Sequence, residues 1–114
     1  LFKIENTDIV VGVLPLFHSF GQVCVMNATL MSGAALTLLP RFETERLMEV
    51  IARDKATLLA AVPTMYFFML NHPDWENYDF SSLRLACSGG AALPVDVLNR
   101  WGERYACKIL EGYG

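Results

Sequence analysis

The chain has 114 residues, 54% hydrophobic and 18% charged, with a formal net charge of -3. That composition is too apolar for a disordered segment, and the length suffices for one domain with a real core. The basic residues are scattered and track no phosphate backbone, which argues against nucleic-acid binding. Three cysteines, Cys24, Cys87 and Cys107, are odd in number and widely spaced, with no C-x-x-C. They predict no disulfide framework and a reducing, cytoplasmic setting. Two histidines without a neighbouring cysteine cluster predict no metal site. The chain opens on Leu1 rather than Met and stops at Gly114 inside a glycine-rich run, so we expect an internal piece of a longer protein with no signal peptide.

From Ile9 to Pro40 no residue is charged by the Asp/Glu/Lys/Arg count. Gly12, Pro15, His18, Gln22, Asn27 and Gly33 interrupt the stretch. It therefore reads as strand, helix and strand, all buried, rather than as a transmembrane span. Asp8 to Leu14 is a β-branched apolar run that suits a strand buried on both faces. Phe20 to Met31 predicts a helix apolar nearly all round, stopped by Ser32-Gly33. Ala35 to Leu39 is a second buried strand. Thr44 offers an N-cap, and Leu47, Val50 and Ile51 give one apolar stripe to a helix over Glu45 to Asp54. On that helix Glu45, Glu49 and Arg53, with Glu43 before it, make a solvated face. Thr57 to Val62 predicts a third strand, and Pro63 opens a helix running to about Asn71. In that helix Met65, Phe67, Phe68 and Met69 read as core. Trp75 to Ser82 is a polar, aromatic loop. Leu83 to Cys87 is a fourth strand, and a helix follows from Pro94 with Leu98, Trp101 and Tyr105 on one face. Cys107 to Leu110 is a fifth.

Alternating strands and helices predict an α/β fold: one parallel sheet flanked by helices, joined by right-handed crossovers. In such open sheets ligands sit beyond the carboxyl ends of the strands. Those ends carry Pro15-Leu16-Phe17-His18, Val62-Pro63-Thr64, Ser88-Gly89-Gly90-Ala91 and Glu111-Gly112-Tyr113-Gly114. The imidazole of His18 suits a contact to a carboxylate or thiol, and equally a histidine satisfied inside its loop. The Ser88–Ala91 run lacks bulk, so its backbone can approach a flat ligand, or simply turn a strand into a helix. Tyr113 between two glycines suits stacking on a purine, or an ordinary turn. Neither G-x-G-x-x-G nor G-x-x-x-x-G-K-[ST] occurs, and no Ser-His-Asp arrangement or paired carboxylates can be argued.

Four segments in register resemble the AMP-forming adenylating superfamily, which includes acyl-CoA synthetases, firefly-type luciferases and adenylation domains of nonribosomal peptide synthetases. They are Leu14-Pro15-Leu16-Phe17-His18-Ser19-Phe20-Gly21, Val62-Pro63-Thr64, Ser88-Gly89-Gly90-Ala91-Ala92-Leu93-Pro94 and Glu111-Gly112-Tyr113-Gly114. The similarity covers essentially the whole chain. It implies a Rossmann-like or flavodoxin-like three-layer subdomain, residues 1–114, within a larger AMP-binding domain. It implies that His18 is catalytic, beside the reacting carboxylate. By the same resemblance Phe20, Gly21, Cys24, Gly90 and Ala91 line the acyl pocket. Gly89, Gly90, Ala91, Glu111, Gly112, Tyr113 and Gly114 hold the nucleotide, with Tyr113 packing on adenine.

The implied substrates are ATP, a carboxylic acid and coenzyme A. Carboxylate attack on the α-phosphate gives acyl-AMP, and the thiolate of coenzyme A then displaces AMP. The phosphate loop, the Mg2+ ligands and the lysine of a mobile C-terminal domain are expected outside these residues, so the chain alone is expected to be inactive. Phe17 to Gly21 with Glu111 to Gly114 most resembles medium- to long-chain fatty-acyl-CoA ligases, for which peripheral membrane association remains open. The rivals are an aryl-CoA ligase or luciferase-like member, and a non-catalytic nucleotide- or acyl-binding module.

Overall fold

The computed structural model describes residues 5–13, 31–39, 41–88, 93–105 and 107–111. Among them run β1 (Ile9–Val13), β2 (Ala35–Leu39), α1 (Thr44–Asp54), β3 (Leu58–Ala61), α2 (Pro63–Leu70), a 3-10 turn (Trp75–Asn77), β4 (Leu85–Ser88), α3 (Val95–Tyr105) and β5 (Lys108–Glu111). The five strands form one sheet in the order β2-β1-β3-β4-β5, and every pairing is parallel. This is the α/β architecture expected, with the 2-1-3-4-5 order of flavodoxin-like sheets. The predicted helix over Phe20 to Met31 lies almost wholly outside the described residues; Met31 and Ser32 are helical, and Gly33 ends the turn at φ 79°.

The inner strands β1, β3 and β4 are buried on both faces, which is why they read as unbroken apolar runs. One row, Val11, Leu59, Ala86 and Ile109, crosses four strands in register and packs into the main core. The helices α1, α2 and α3 lie side by side over that core and supply Leu47, Ile51, Met65, Tyr66, Met69 and Trp101 to it. On alternate positions Val10, Leu58, Ala60 and Cys87 are buried as well. Trp101 is fully buried and sits at the centre of an aromatic cluster. Its ring lies 4.9 Å from Tyr66, edge to face, 4.5 Å from Tyr105 and 6.2 Å from Phe80. The predicted apolar face of α3 is thus met by Trp101, with Leu98 and Tyr105 half-buried beside it.

Three local expectations are corrected. Thr44 is the first residue of α1 rather than its cap; Glu43 holds the N-cap position and makes no side-chain cap bond. The fourth strand starts at Leu85, not Leu83, because the Leu83 N–H closes a turn on the Phe80 carbonyl. Met65 and Met69 are core, but Phe67 and Phe68 stand 47% and 50% exposed on the outer side of α2.

The amino edge of the sheet is stapled by one carboxylate. Asp8, 4% exposed, accepts from the Thr57 hydroxyl at 2.7 Å, the Glu5 N–H at 2.8 Å and two guanidinium nitrogens of Arg84. Its own carbonyl accepts from Ala35 N–H. Asp8 therefore ties the starts of β1, β2, β3 and β4 together. Burial pushes its pKa up, but the hydrogen bonds from Arg84, Glu5 and Thr57 outweigh that and hold it at about 2.

Candidate functional site: the carboxyl edge of the sheet

Because all five strands are parallel, their carboxyl ends share one edge. Ala61, Ser88 and Glu111 are register partners in a single row across β3, β4 and β5. The row before it is Gly12, Ala60, Cys87 and Leu110. The chain order reverses between β1 and β3, with β2 on the far side of β1. That is the switch point beyond which open α/β sheets bind their ligands. Val13 ends β1 and Ala61 ends β3, so the segments joined to those ends in the chain begin with Leu14 and Val62. The Ser88 and Glu111 ends lead in the chain to Gly89 and Gly112. All four motif segments are therefore continuous with ends gathered at one edge.

Of the site residues expected from the sequence, Glu111 is placed, as the last residue of β5. His18, Phe20, Gly21, Cys24, Gly89, Gly90, Ala91, Gly112, Tyr113 and Gly114 lie outside the described residues.

Two described side chains shape this edge and were missed in the sequence. Tyr66, fully buried on α2, donates its hydroxyl to the Cys87 carbonyl at 2.7 Å. This bond anchors α2 to β4 one residue before Ser88. Burial pushes the Tyr66 hydroxyl well above its usual range, so it stays neutral and remains a donor. An all-apolar helix sequence gives no sign that its one tyrosine would bond a strand carbonyl. Ser88 is the other. It is 1% exposed, and its Oγ has no hydrogen-bond partner. Such an orphaned hydroxyl is rare in a folded interior, and here it stands at the end of β4, next in the chain to Gly89. Its signal was its place at the head of Ser88-Gly89-Gly90-Ala91.

Two of the three cysteines lie among the described residues. Cys87 and Cys107 are both buried, and burial pushes the Cys107 thiol up, away from thiolate. Among the described residues no three His, Cys, Asp or Glu side chains come together to hold a metal ion, and no helix is long and apolar enough to cross a membrane.

The AMP-binding enzyme family model matches residues 1–114. The chain belongs to the AMP-binding enzyme family. It is 38% identical over 110 residues to a long-chain-fatty-acid–CoA ligase of Bacillus subtilis (strain 168), covering 96% of this chain and 20% of that protein. It is 33% identical over 108 residues to 4-coumarate–CoA ligase 4 of Arabidopsis thaliana, covering 94% of this chain and 19% of that one. Among solved structures, it superposes on the anthranilate CoA ligase AuaEII in complex with anthranoyl-AMP with a TM-score of 0.86 at 28% identity. That match covers 97% of this chain and 22% of the other. The chain thus spans about a fifth of the length of these relatives. The parallel sheet with its flanking helices is the fold this chain shares with that structure.

Proposed function

We propose that this chain forms the acyl and adenine wall of an AMP-forming acid–CoA ligase whose acid is a medium- to long-chain fatty acid. The observation that carries the reading is the gathering, at one sheet edge, of the strand ends that continue into the four adenylating segments. Full-length matching by an AMP-binding family model supports it. In this reading His18 follows β1 at the switch point and orients the reacting carboxylate. Phe20, Gly21 and Cys24 line the acyl pocket with Gly90 and Ala91. Gly89, Gly90, Ala91 and the Glu111–Gly114 segment hold AMP, and Tyr113 packs on its adenine. One carboxylate oxygen bonds the α-phosphorus of ATP as the bond to pyrophosphate breaks. The thiolate sulfur of coenzyme A then bonds the acyl carbon, and AMP departs with that oxygen. Stabilising the first transition state needs concentrated positive charge. In this reading the Mg2+ ligands and the phosphate loop are supplied by polypeptide outside these residues.

The fatty acid is favoured by the 38% identity to a fatty-acid ligase, against 33% to the coumarate enzyme. Small side chains at Gly21, Ala91 and Ala92 suit an extended acyl chain. An aryl acid is the second reading, carried by the coumarate and anthranilate relatives. Thioester formation by the full-length polypeptide, with ATP and coenzyme A, against C8 to C18 fatty acids, 4-coumarate and anthranilate, decides between them. We expect at least tenfold higher kcat/KM for fatty acids. The reverse order transfers the assignment to an aryl ligase. No thioester from any acid overturns the ligase in favour of a binding module.

A further inference from the structure

The helix α2 has no polar side. Pro63 to Leu70 contains no charged residue, and its apolar side chains point in every direction. Met65, Tyr66, Met69 and Leu70 fill the core, while Phe67 and Phe68 face outward, half exposed. Their rings lie 5.8 Å apart, and Phe42 adds a third ring 6.1 Å from Phe68. The uncovered halves of two phenyl side chains leave about 200 Å2 of contiguous apolar surface. The neighbours of α2 in the same layer are built differently. α1 turns Glu45, Arg46, Glu49 and Arg53 to solvent, and α3 turns Asp96, Asn99 and Glu103. Two solvated helices thus flank one that carries the composition of a covered helix.

We propose that the Phe42–Phe67–Phe68 ridge is a docking surface for the apolar face of an amphipathic helix from the same polypeptide. The length of the relatives argues for that occupant. About four-fifths of the Bacillus subtilis ligase lies outside the region matched here, and that remainder has to meet this subdomain somewhere. The middle of the sheet cannot receive it face-on: β1, β3 and β4 are already buried on both faces within this chain. The ridge is an aromatic strip of the helical layer left uncovered, and the charged flanks of α1 and α3 give it the polar rim of a seated interface. A helix fits better than a strand. The ridge runs along a helix axis between two others, and ridges-into-grooves packing at 8–10 Å closes such a layer. The inference rests on family membership and burial, and holds whichever acid the enzyme activates.

Single Phe67→Cys and Phe68→Cys substitutions in the full-length polypeptide test it, with maleimide labelling mapped by peptide mass and Glu49→Cys on α1 as the exposed reference. We expect positions 67 and 68 to label at least tenfold more slowly than position 49. Labelling at the reference rate overturns the proposal. So does protection lost on dilution, which would assign the surface to a second copy, or protection gained only with phospholipid vesicles, which would assign it to a membrane. Hydroxyl-radical footprinting of wild-type Phe67 and Phe68 gives the same reading if the variants fold poorly; oxidation as fast as at free phenylalanine again overturns it.

Discussion

Replacing Asp8 by Asn removes one negative charge from the point where four strands start. In the folded chain that carboxyl is held from 3.8 down to about 2 by Arg84, Glu5 and Thr57, against the upward push of burial. A carboxylate lowered this far contributes about 2 kcal/mol to stability at neutral pH. The sign follows from the direction of the shift. The contribution is fully present above the unfolded value, near 4, and is lost as pH falls toward the folded value, near 2. Asp8→Asn should therefore cost about 2 kcal/mol at pH 7, seen as a urea midpoint lowered by about 1 M. The gap to wild type should persist to about pH 4.5 and close between pH 4 and pH 2, where wild type protonates the same atom. Urea titrations from pH 2 to pH 7 measure this directly. A gap that stays constant over that range, or no loss at pH 7, would mean that ionisation of Asp8 does not stabilise the fold. The charge of Asp8 would then add nothing to the hydrogen bonds that its side chain accepts.

Two further substitutions probe other parts of the fold. Trp101→Ala empties the centre of the aromatic cluster and should cost about 3–5 kcal/mol in chemical denaturation, while Val95→Ala, at a site 69% exposed, should cost almost nothing. Lys55 ends α1 in the left-handed region at φ 53°, so Lys55→Gly should stabilise by about 0.5–1 kcal/mol and raise Tm by a few degrees.

What the sequence disclosed follows from how local each signal is. β1 and β3 were legible because a strand buried on both faces is apolar at every position, as Val10, Val11, Val13, Leu58 and Leu59 are. The Asp8 staple was not legible, since its partners Thr57 and Arg84 stand 49 and 76 residues away. Phe67 and Phe68 were assigned to the core because an unbroken apolar run has no period from which to read an inner and an outer side. The same rule that made β1 easy made α2 ambiguous. At the site, the motif segments at the carboxyl ends were readable in order and spacing, and the parallel register explains why residues nearly a hundred positions apart belong to one edge. The Tyr66–Cys87 bond was invisible, because nothing local distinguishes a tyrosine that bonds a strand carbonyl from one that only packs.

In the function proposed, this edge belongs to an enzyme that adenylates a carboxylic acid. Acid-dependent exchange of labelled pyrophosphate into ATP by the full-length polypeptide tests it most directly, with His18→Ala alongside wild type. Exchange should require the acid and fall at least tenfold in the variant. Exchange absent with every acid, or unaffected by the loss of His18, would contradict that function.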